Sequence, residues 1–279
     1  MDKQEREMKK NKKNEEMPES VAVVISTYNN PEFLQLCLFS LCNQTCKPDE
    51  VVIADDGSTD ATRHVVSHFE KRLPIKYVWQ EDKGFRKAMI MNKAFALCQS
   101  EYIIQVDGDI IMGRHFVEDH MKEARRGCYL NGSRGKFDKK KTDILKRDGH
   151  ARPHFFSRGL HRRLNAIRIP FLTPLFYQYK KHKKVRGCNL SFWRKDLFAV
   201  NGYDNGMVGY GTEDIDLPAR LERLGVMKRF VKFKAIEFHL HHREADDKYV
   251  AMSPNHQRFV YYNEHNVVRV DDGISRFMQ

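Results

Sequence analysis

Val21-Ala22-Val23-Val24-Ile25-Ser26-Thr27-Tyr28-Asn29-Asn30-Pro31 is the stretch on which the fold turns. Val21 to Ile25 are apolar without a break. A short run with no polar alternation suits a strand buried on both faces, as in a parallel sheet. Asn30-Pro31 then predicts a helix start, with Asn at the N-cap and Pro at the first helical position. Leu34, Leu38 and Leu41 follow at near-helical spacing.

Working outward, the same unit recurs. Val51-Val52-Ile53-Ala54 is a second buried strand, and it runs into Asp55-Asp56-Gly57-Ser58-Thr59-Asp60. Thr59 or Asp60 can cap a helix toward Leu73. Ile75 to Trp79 is a third strand, Phe85 to Cys98 a helix, and Tyr102 to Val106 a fourth strand. This alternation predicts an α/β fold with a mostly parallel central sheet flanked by helices. Such sheets bind ligands beyond the carboxyl ends of their strands. Three strands end there in polar groups, at Ser26-Thr27-Tyr28, Asp55-Asp56-Gly57 and Asp107-Gly108-Asp109. Further on, Val185 to Trp193 and Phe230 to Phe238 read as strands. A helix runs from the glycine-rich stretch Gly206 to Gly211 through Leu224.

The chain has 279 residues, 41% hydrophobic and 31% charged, enough for one large domain with a buried core. No stretch approaches the roughly 20 apolar residues of a spanning helix. Residues 1–20 are polar and charged, which predicts a disordered tail and no secretory signal. Six cysteines at irregular spacing do not make a disulfide scaffold, so a cytoplasmic, reducing location is expected. Cys37, Cys42 and Cys46 lack the paired spacing of a zinc site and read as packing residues. The net charge is +12, but Arg134 to Arg186 alone holds 17 Lys and Arg against 3 Asp. The basicity belongs to one segment, whereas a nucleic-acid-binding fold would spread it along a docking face.

Three clusters can carry chemistry. Asp107-Gly108-Asp109 offers hard oxygen ligands for Mg²⁺ or Mn²⁺, and a turn would use the same residues. Its position directly after a buried strand favours the metal. His239-Leu240-His241-His242 places imidazoles at a strand end, where they suit Mn²⁺ or another transition metal. Glu213-Asp214 stands behind the glycine loop at a helix start, as a general base would; first-turn capping is the plain alternative.

Taken together, these residues resemble a family 2 glycosyltransferase with the GT-A (Rossmann-like) fold, from Val21 to about Phe259. Val23 to Asn29 resembles the opening strand and nucleotide turn. Leu38-Phe39-Ser40-Leu41 with Gln44-Thr45 resembles the first helix, and Asp55 to Asp60 the second nucleotide loop. Asp82-Lys83-Gly84-Phe85-Arg86, with Asn92 and Ala94, resembles the donor-side motif of chondroitin-polymerase-like members. Asp107-Gly108-Asp109 resembles the metal-binding D-x-D. Arg186 to Ser191, Asn201-Gly202-Tyr203 and Gly209 to Asp216 resemble the galactosyltransferase-like subgroup, with Tyr210 in place of Trp and Thr212 in place of Gly.

The resemblance implies a single domain over 21–260. It would comprise a nucleotide-binding half at 21–127, a basic insert at 134–186 and an acceptor and catalytic half at 187–260, followed by a C-terminal extension at 261–279. It implies a metal-dependent inverting hexosyltransferase. A UDP-sugar would be held by Thr27, Tyr28, Asp55, Asp56, Lys83, Arg86, Asn92, Asp107 and Gly211. Asp56 would read the base and Asp107 would sit by the ribose or metal. Asp109, His242 and His239 (where Met usually stands) would hold Mn²⁺ or Mg²⁺. Asp214 would be the catalytic base and Glu213 would orient hydroxyls. The acceptor would be a glycan or a lipid-linked glycan of surface polysaccharide or lipopolysaccharide synthesis.

In the basic segment, cations interleave with large apolar groups from Arg162 to Leu172, at Leu175-Phe176-Tyr177 and at Lys180 to Lys184. Such a stretch suits an anionic membrane surface, here the inner face of the cytoplasmic membrane. A solvated acceptor-side loop, or one gripping a phosphorylated glycan, would have the same composition. Two other classes are weighed. A sugar nucleotidyltransferase needs a glycine-rich basic phosphate loop, which Ser26 to Asn30 is not. A nucleic-acid-binding protein would leave Asp107-Gly108-Asp109 without a purpose, so no nucleic acid is expected as a partner.

Overall fold

The computed structural model describes residues 17–150, 152–177, 185, 187–242 and 253–278. At its centre, β1 (Val21–Thr27) runs parallel to β2 (Glu50–Asp55) on one side and β4 (Tyr102–Asp107) on the other. β3 (Ile75–Trp79) extends the sheet beyond β2. On the other flank come β9 (Leu190–Trp193), β6 (Cys128–Gly132) and β10 (Met227–Val231), giving the order β10-β6-β9-β4-β1-β2-β3. Only β9 is antiparallel to its neighbours β4 and β6. The fold is therefore the α/β architecture expected, with a mostly parallel sheet.

Both faces of β1 are covered, which is why its sequence does not alternate. Val21, Val23 and Ile25 pack in one cluster with Leu34, Leu38 and Leu41 of α1 (Pro31–Cys42). Ala22 and Val24 pack in another with Ile90, Met91 and Phe95 of α3 (Lys87–Ala96). Each fully buried aliphatic side chain contributes roughly 1.5–3 kcal/mol. Cys37 belongs to the first cluster, with Cys42 and Cys46 against its edge.

Several boundaries differ from the sequence reading. Pro31 does occupy the first turn of α1, but Asn30 makes no cap bond with its side chain, whose amide donates to the Tyr28 carbonyl at 3.1 Å. The next helix, α2 (Asp60–Phe69), stops short of Leu73. α3 begins at Lys87 rather than Phe85. The strand expected over 185–193 is only β9, because Gly187–Asn189 forms a 3-10 turn. The strand expected over 230–238 is two strands in two sheets. β10 ends at Val231, and Phe233 and Ala235, both with positive φ, turn the chain before β11 (Glu237–His239).

β11 joins β5 (Ile110–Met112), β7 (Arg134–Phe137) and β8 (Leu160–His161) in a second sheet of order β5-β11-β7-β8. The remaining helices are α4 (Phe116–Glu123), α5 (Lys139–Asp148), α6 (Arg194–Ala199), α7 (Glu213–Arg223) and α8 (Pro254–Glu264). The basic segment thus supplies β7, α5 and β8, then 3-10 turns at Arg163–Asn165 and Pro170–Phe176. Its cationic run Lys180 to Lys184, Arg186 and tail residues 1–16 lie outside the described residues. No described helix is long and apolar enough to cross a membrane.

Residues 270–275 return to the loop 201–205. The Asn201 amide donates to the Val270 carbonyl at 2.8 Å, and its side-chain oxygen accepts from the Ser275 N–H at 2.8 Å. Asn205 donates from its backbone to the Asp272 carbonyl at 2.9 Å and from its side chain to Asp272 Oδ1 at 2.7 Å.

Candidate active site

The register of the sheet brings the strand-end polar groups to one edge. Thr27 pairs with Asp55 across β1 and β2, and Ser26 with Asp107 across β1 and β4. A cleft of about 940 Å³ opens there. It is lined by Thr27, Tyr28, Asp56, Asp107, Asp109, Gly211, Glu213, Asp214, His239 and His242. Asp107-Gly108-Asp109 hugs β1. The Gly108 N–H donates to the Ser26 carbonyl at 2.8 Å, and a Cβ at Gly108 would lie 2.9 Å from that oxygen. Only glycine permits this approach.

Two sheets meet at Asp109. β11 pairs antiparallel with β5, setting His239 opposite Ile110, and the Leu240 N–H donates to the Asp109 carbonyl at 2.9 Å. His242 Nε2 lies 2.8 Å and His239 Nε2 3.4 Å from Asp109 Oδ2. One ligand atom from each of the three residues falls within 4.8 Å of the others. Asp109 Oδ1 is buried without a hydrogen-bond partner among the described residues. Two imidazoles and a carboxylate with an unsatisfied oxygen fit a divalent transition ion. Burial lowers the His239 pKa and so favours the neutral imidazole.

The acid pair Glu213-Asp214 opens α7, after Thr212 with φ 73°. That left-handed backbone explains why glycine is the easier residue at this position. Asp214 Oδ2 accepts from the Gly187 N–H at 3.1 Å, and Oδ1 lies 3.4 Å from the Tyr203 hydroxyl. Lys87 reaches between the acids: Nζ is 2.9 Å from Asp107 Oδ1 and 3.9 Å from Asp214 Oδ1. Burial alone would discharge Lys87, but Asp107, Asp214 and Glu213 outweigh it and hold its pKa well above the ordinary lysine value. Burial also opposes charge on Asp107, yet Lys87 and Ser26 lower its pKa. Burial and Asp107 raise the Asp214 pKa against Lys87. Burial and Asp214 push Glu213 up to about 7.

The other expected nucleotide-sugar residues divide. Asp56 faces the cleft while its carboxylate accepts from Gln80 Nε2 at 2.6 Å and the Arg86 N–H at 2.8 Å. Tyr28 donates to Asp82 Oδ2 at 2.8 Å, which ties the first turn to the loop after β3. Asp55, Lys83, Arg86 and Asn92 do not line the cleft. Asp55 is fully buried and is held by the Ser58 N–H at 2.7 Å and the Tyr77 hydroxyl at 2.6 Å. Asn92 is fully buried; its amide donates to the Tyr203 carbonyl at 2.7 Å and to Asn205 Oδ1 at 2.9 Å. Lys83 pairs with Glu81 at 2.8 Å on the surface. The Arg86 guanidinium turns back to the Glu81 carbonyl.

The sequence reading did not single out Lys87 or Gln105, and it named Tyr203 only within the motif Asn201-Gly202-Tyr203, with no role. Lys87 carries a cue: it stands at the first position of a helix with no acid in its first turn, where the dipole disfavours a cation. At the rim, the Phe85 and Tyr210 rings meet edge to face with centroids 6.0 Å apart, and the Gly209 N–H donates to the Phe85 carbonyl at 2.8 Å.

A mostly parallel central sheet flanked by helices is the GT-A fold, and solved structures share it. One is Staphylococcus aureus TarS 1-349 in complex with UDP, with TM-score 0.62, 15% identity, and coverage of 92% of this chain and 68% of that one. Another is the mannosyltransferase PcManGT from Pyrobaculum calidifontis in complex with GDP-Man and Mn²⁺, with TM-score 0.59, 17% identity, and coverage of 84% and 60%.

The chain belongs to glycosyl transferase family 2, whose model matches residues 22–186. A second model, described as the N-terminal domain of galactosyltransferase, matches residues 166–243. Validoxylamine A glucosyltransferase of Streptomyces hygroscopicus subsp. limoneus is 31% identical over 229 residues, which are 74% of this chain and 48% of that protein. Chondroitin synthase of Escherichia coli is 26% identical over 243 residues, 77% of this chain and 34% of that protein. The chain spans about half the length of the validoxylamine A glucosyltransferases it matches.

Proposed function

We infer that this chain is a metal-dependent inverting hexosyltransferase. It would move Gal, Glc, GalNAc or GlcNAc from a UDP-sugar to a glycan or lipid-linked acceptor of surface polysaccharide or lipopolysaccharide synthesis. The observation that carries the reading is one cleft holding both Asp214, clamped beside Lys87, and the cluster Asp109, His239 and His242. Relatives named as a glucosyltransferase and a chondroitin synthase support the sugar chemistry. A fold neighbour solved with UDP-GlcNAc supports a UDP-sugar donor.

In this reading Asp214 takes the proton of the acceptor hydroxyl as its oxygen bonds to the anomeric carbon. The bond from that carbon to the diphosphate breaks, UDP leaves, and attack from the opposite face inverts the centre. Glu213 orients hydroxyls, Asp56 reads the base and Asp107 sits by the ribose or metal. Mn²⁺ or Mg²⁺ on Asp109, His239 and His242 would offset charge on the departing diphosphate.

A peripheral place on the inner face of the cytoplasmic membrane belongs to the same reading. Phe156, Leu164, Phe171 and Leu175 of the basic segment are 66–78% exposed, whereas every other exposed large hydrophobic group among the described residues is at 54% or below. Large apolar groups among cations suit an anionic lipid surface.

The test is a panel of UDP- and GDP-sugars, with and without Mn²⁺, followed by nucleotide release. Asp109→Ala and Asp214→Asn run alongside. Metal-dependent UDP release from one donor, lost in both variants, is the expected result. Absence of both release and UDP binding would overturn the reading. Cosedimentation with vesicles should rise with anionic lipid; indifference to it would remove the membrane.

A further inference from the structure

We propose that Gln105 is a positioning residue for Asp214: its carboxamide fixes the Tyr203 hydroxyl and the Gly187 peptide, the two groups that hold the two carboxylate oxygens. The proposal rests on the reading of Asp214 as base. Gln105 interrupts the apolar run Ile103-Ile104-Gln105-Val106 in the middle of β4, and it is fully buried. A buried primary amide is costly unless its bonds are made, and an apolar residue would serve the strand better. Neither Gln105 nor Tyr203 lines the cleft; both stand behind it.

The bonds form a closed figure. Gln105 Nε2 donates to the Gly187 carbonyl at 3.0 Å and to the Tyr203 hydroxyl oxygen at 2.8 Å. The Tyr203 hydroxyl has one proton and two acceptors within reach, Gln105 Oε1 at 2.9 Å and Asp214 Oδ1 at 3.4 Å. Donation from Nε2 to the oxygen and the contact with Oε1 together fix how the hydroxyl is oriented, and its proton is shared between Oε1 and the carboxylate. Gly187 donates its N–H to Asp214 Oδ2 at 3.1 Å, and a Cβ there would lie 2.1 Å from Asp214 Oδ1. The Tyr203 ring is fixed in turn. It stacks on Phe95 with centroids 6.1 Å apart, and its N–H donates to Asn92 Oδ1 at 2.9 Å.

The charged and titratable groups around Asp214 are Lys87 from α3, Asp107 from β4, Glu213 beside it on α7, and Tyr203. Lys87 favours the ionised carboxylate and the two acids oppose it. The Tyr203 proton and the Gly187 N–H therefore help keep a base charged among acids.

Tyr203→Phe and Gln105→Met, singly and together, are compared with Asp214→Asn in donor turnover across pH and in UDP binding by calorimetry. We expect each single variant to lose about tenfold in kcat with donor KM within about twofold. The acid limb of the kcat profile should move up by about half a pH unit, because lost donors destabilise the charged base. The double variant should be no worse than the weaker single, as for residues acting through one network. If Gln105→Met fails to fold, Tyr203→Phe carries the same pH test alone. An unmoved acid limb beside an inactive Asp214→Asn would overturn the proposal and leave the base in place. An active Asp214→Asn would overturn the base itself, and this proposal with it.

Discussion

Asp216 and Arg220 form an ion pair at 2.8 Å in which both side chains are fully buried. The guanidinium also donates to the Val200 carbonyl at 2.8 Å and the Gly202 carbonyl at 2.7 Å. The last acid of Glu213-Asp214-Ile215-Asp216 therefore holds Arg220, which ties α7 to the loop 200–202. Removing one partner strands a buried charge, so Asp216→Ala should cost about 3–5 kcal/mol of stability. Denaturant unfolding measures it; a loss under about 1 kcal/mol would mean that the pair is dispensable.

Among the described residues, Lys87 is the cation that bonds Asp107 and also approaches Asp214. Lys87→Met leaves three acids facing one another, and each then holds its proton more tightly. Turnover should fall by at least about a hundredfold, the scale of losing a preorganised charge. Steady-state kinetics at pH 7 and 9 would show partial recovery at the higher pH. Equal loss at both would point to a purely steric part for Lys87.

The proposed ion has its own readout. Asp109→Ala should weaken Mn²⁺ binding, measured by calorimetry with UDP present, by well over the tenfold or so that losing an outer partner costs. His239→Met replaces an imidazole with a soft thioether and should bind Mn²⁺ more weakly than the parent while still folding. Unchanged affinity in Asp109→Ala would place the ion elsewhere.

His120 and Glu213 pull stability in opposite directions with pH. The Asn189 amide donates to the Ala235 carbonyl at 3.0 Å, so its oxygen is an acceptor. His120 Nε2 must then donate to it at 3.0 Å, and Nδ1 accepts from Ser191 at 2.8 Å. Burial pushes this neutral His120 down to about 4 from 6.5. The unfolded chain binds the extra proton between those values, so stability rises with pH there. Glu213, raised from 4.5 to about 7, binds the extra proton when folded, so stability falls as pH rises across its window. Glu213→Gln removes that fall. Its melting temperature should climb more steeply than the parent's from about pH 5 to 6.5. Parallel curves would refute the assignment.

The sheet edge was legible because doubly buried strands write unbroken apolar runs, and each run ended in polar residues that register then aligned. The segment 230–238 was not legible. Phe233 and Ala235 take positive φ without a Gly or Pro to announce it. Motif order pointed to Asp109, His239 and His242, which the two sheets bring together. It also pointed to Asn92 and Asp55, whose side chains are spent on the scaffold. Motifs mark positions but not the direction of a side chain. Lys87 and Gln105 escaped, and Tyr203 was named in a motif without its role, because their partners come from distant segments and no local pattern records such pairings.

The seam between Asn201, Asn205 and residues 270–275 has a consequence for synthesis. A chain emerging from the ribosome exposes β1, β2 and β4 early, and these can pair at once. The loop 201–205, which carries Tyr203, gains its outer clasp only after Asp272 and Ser275 have been translated, about 70 residues later. Until then Tyr203, whose hydroxyl lies 3.4 Å from Asp214 Oδ1, sits on a loop held by earlier segments such as Asn92. On this order the strand edge of β1, β2 and β4 can assemble well before the loop that carries Tyr203 is clasped.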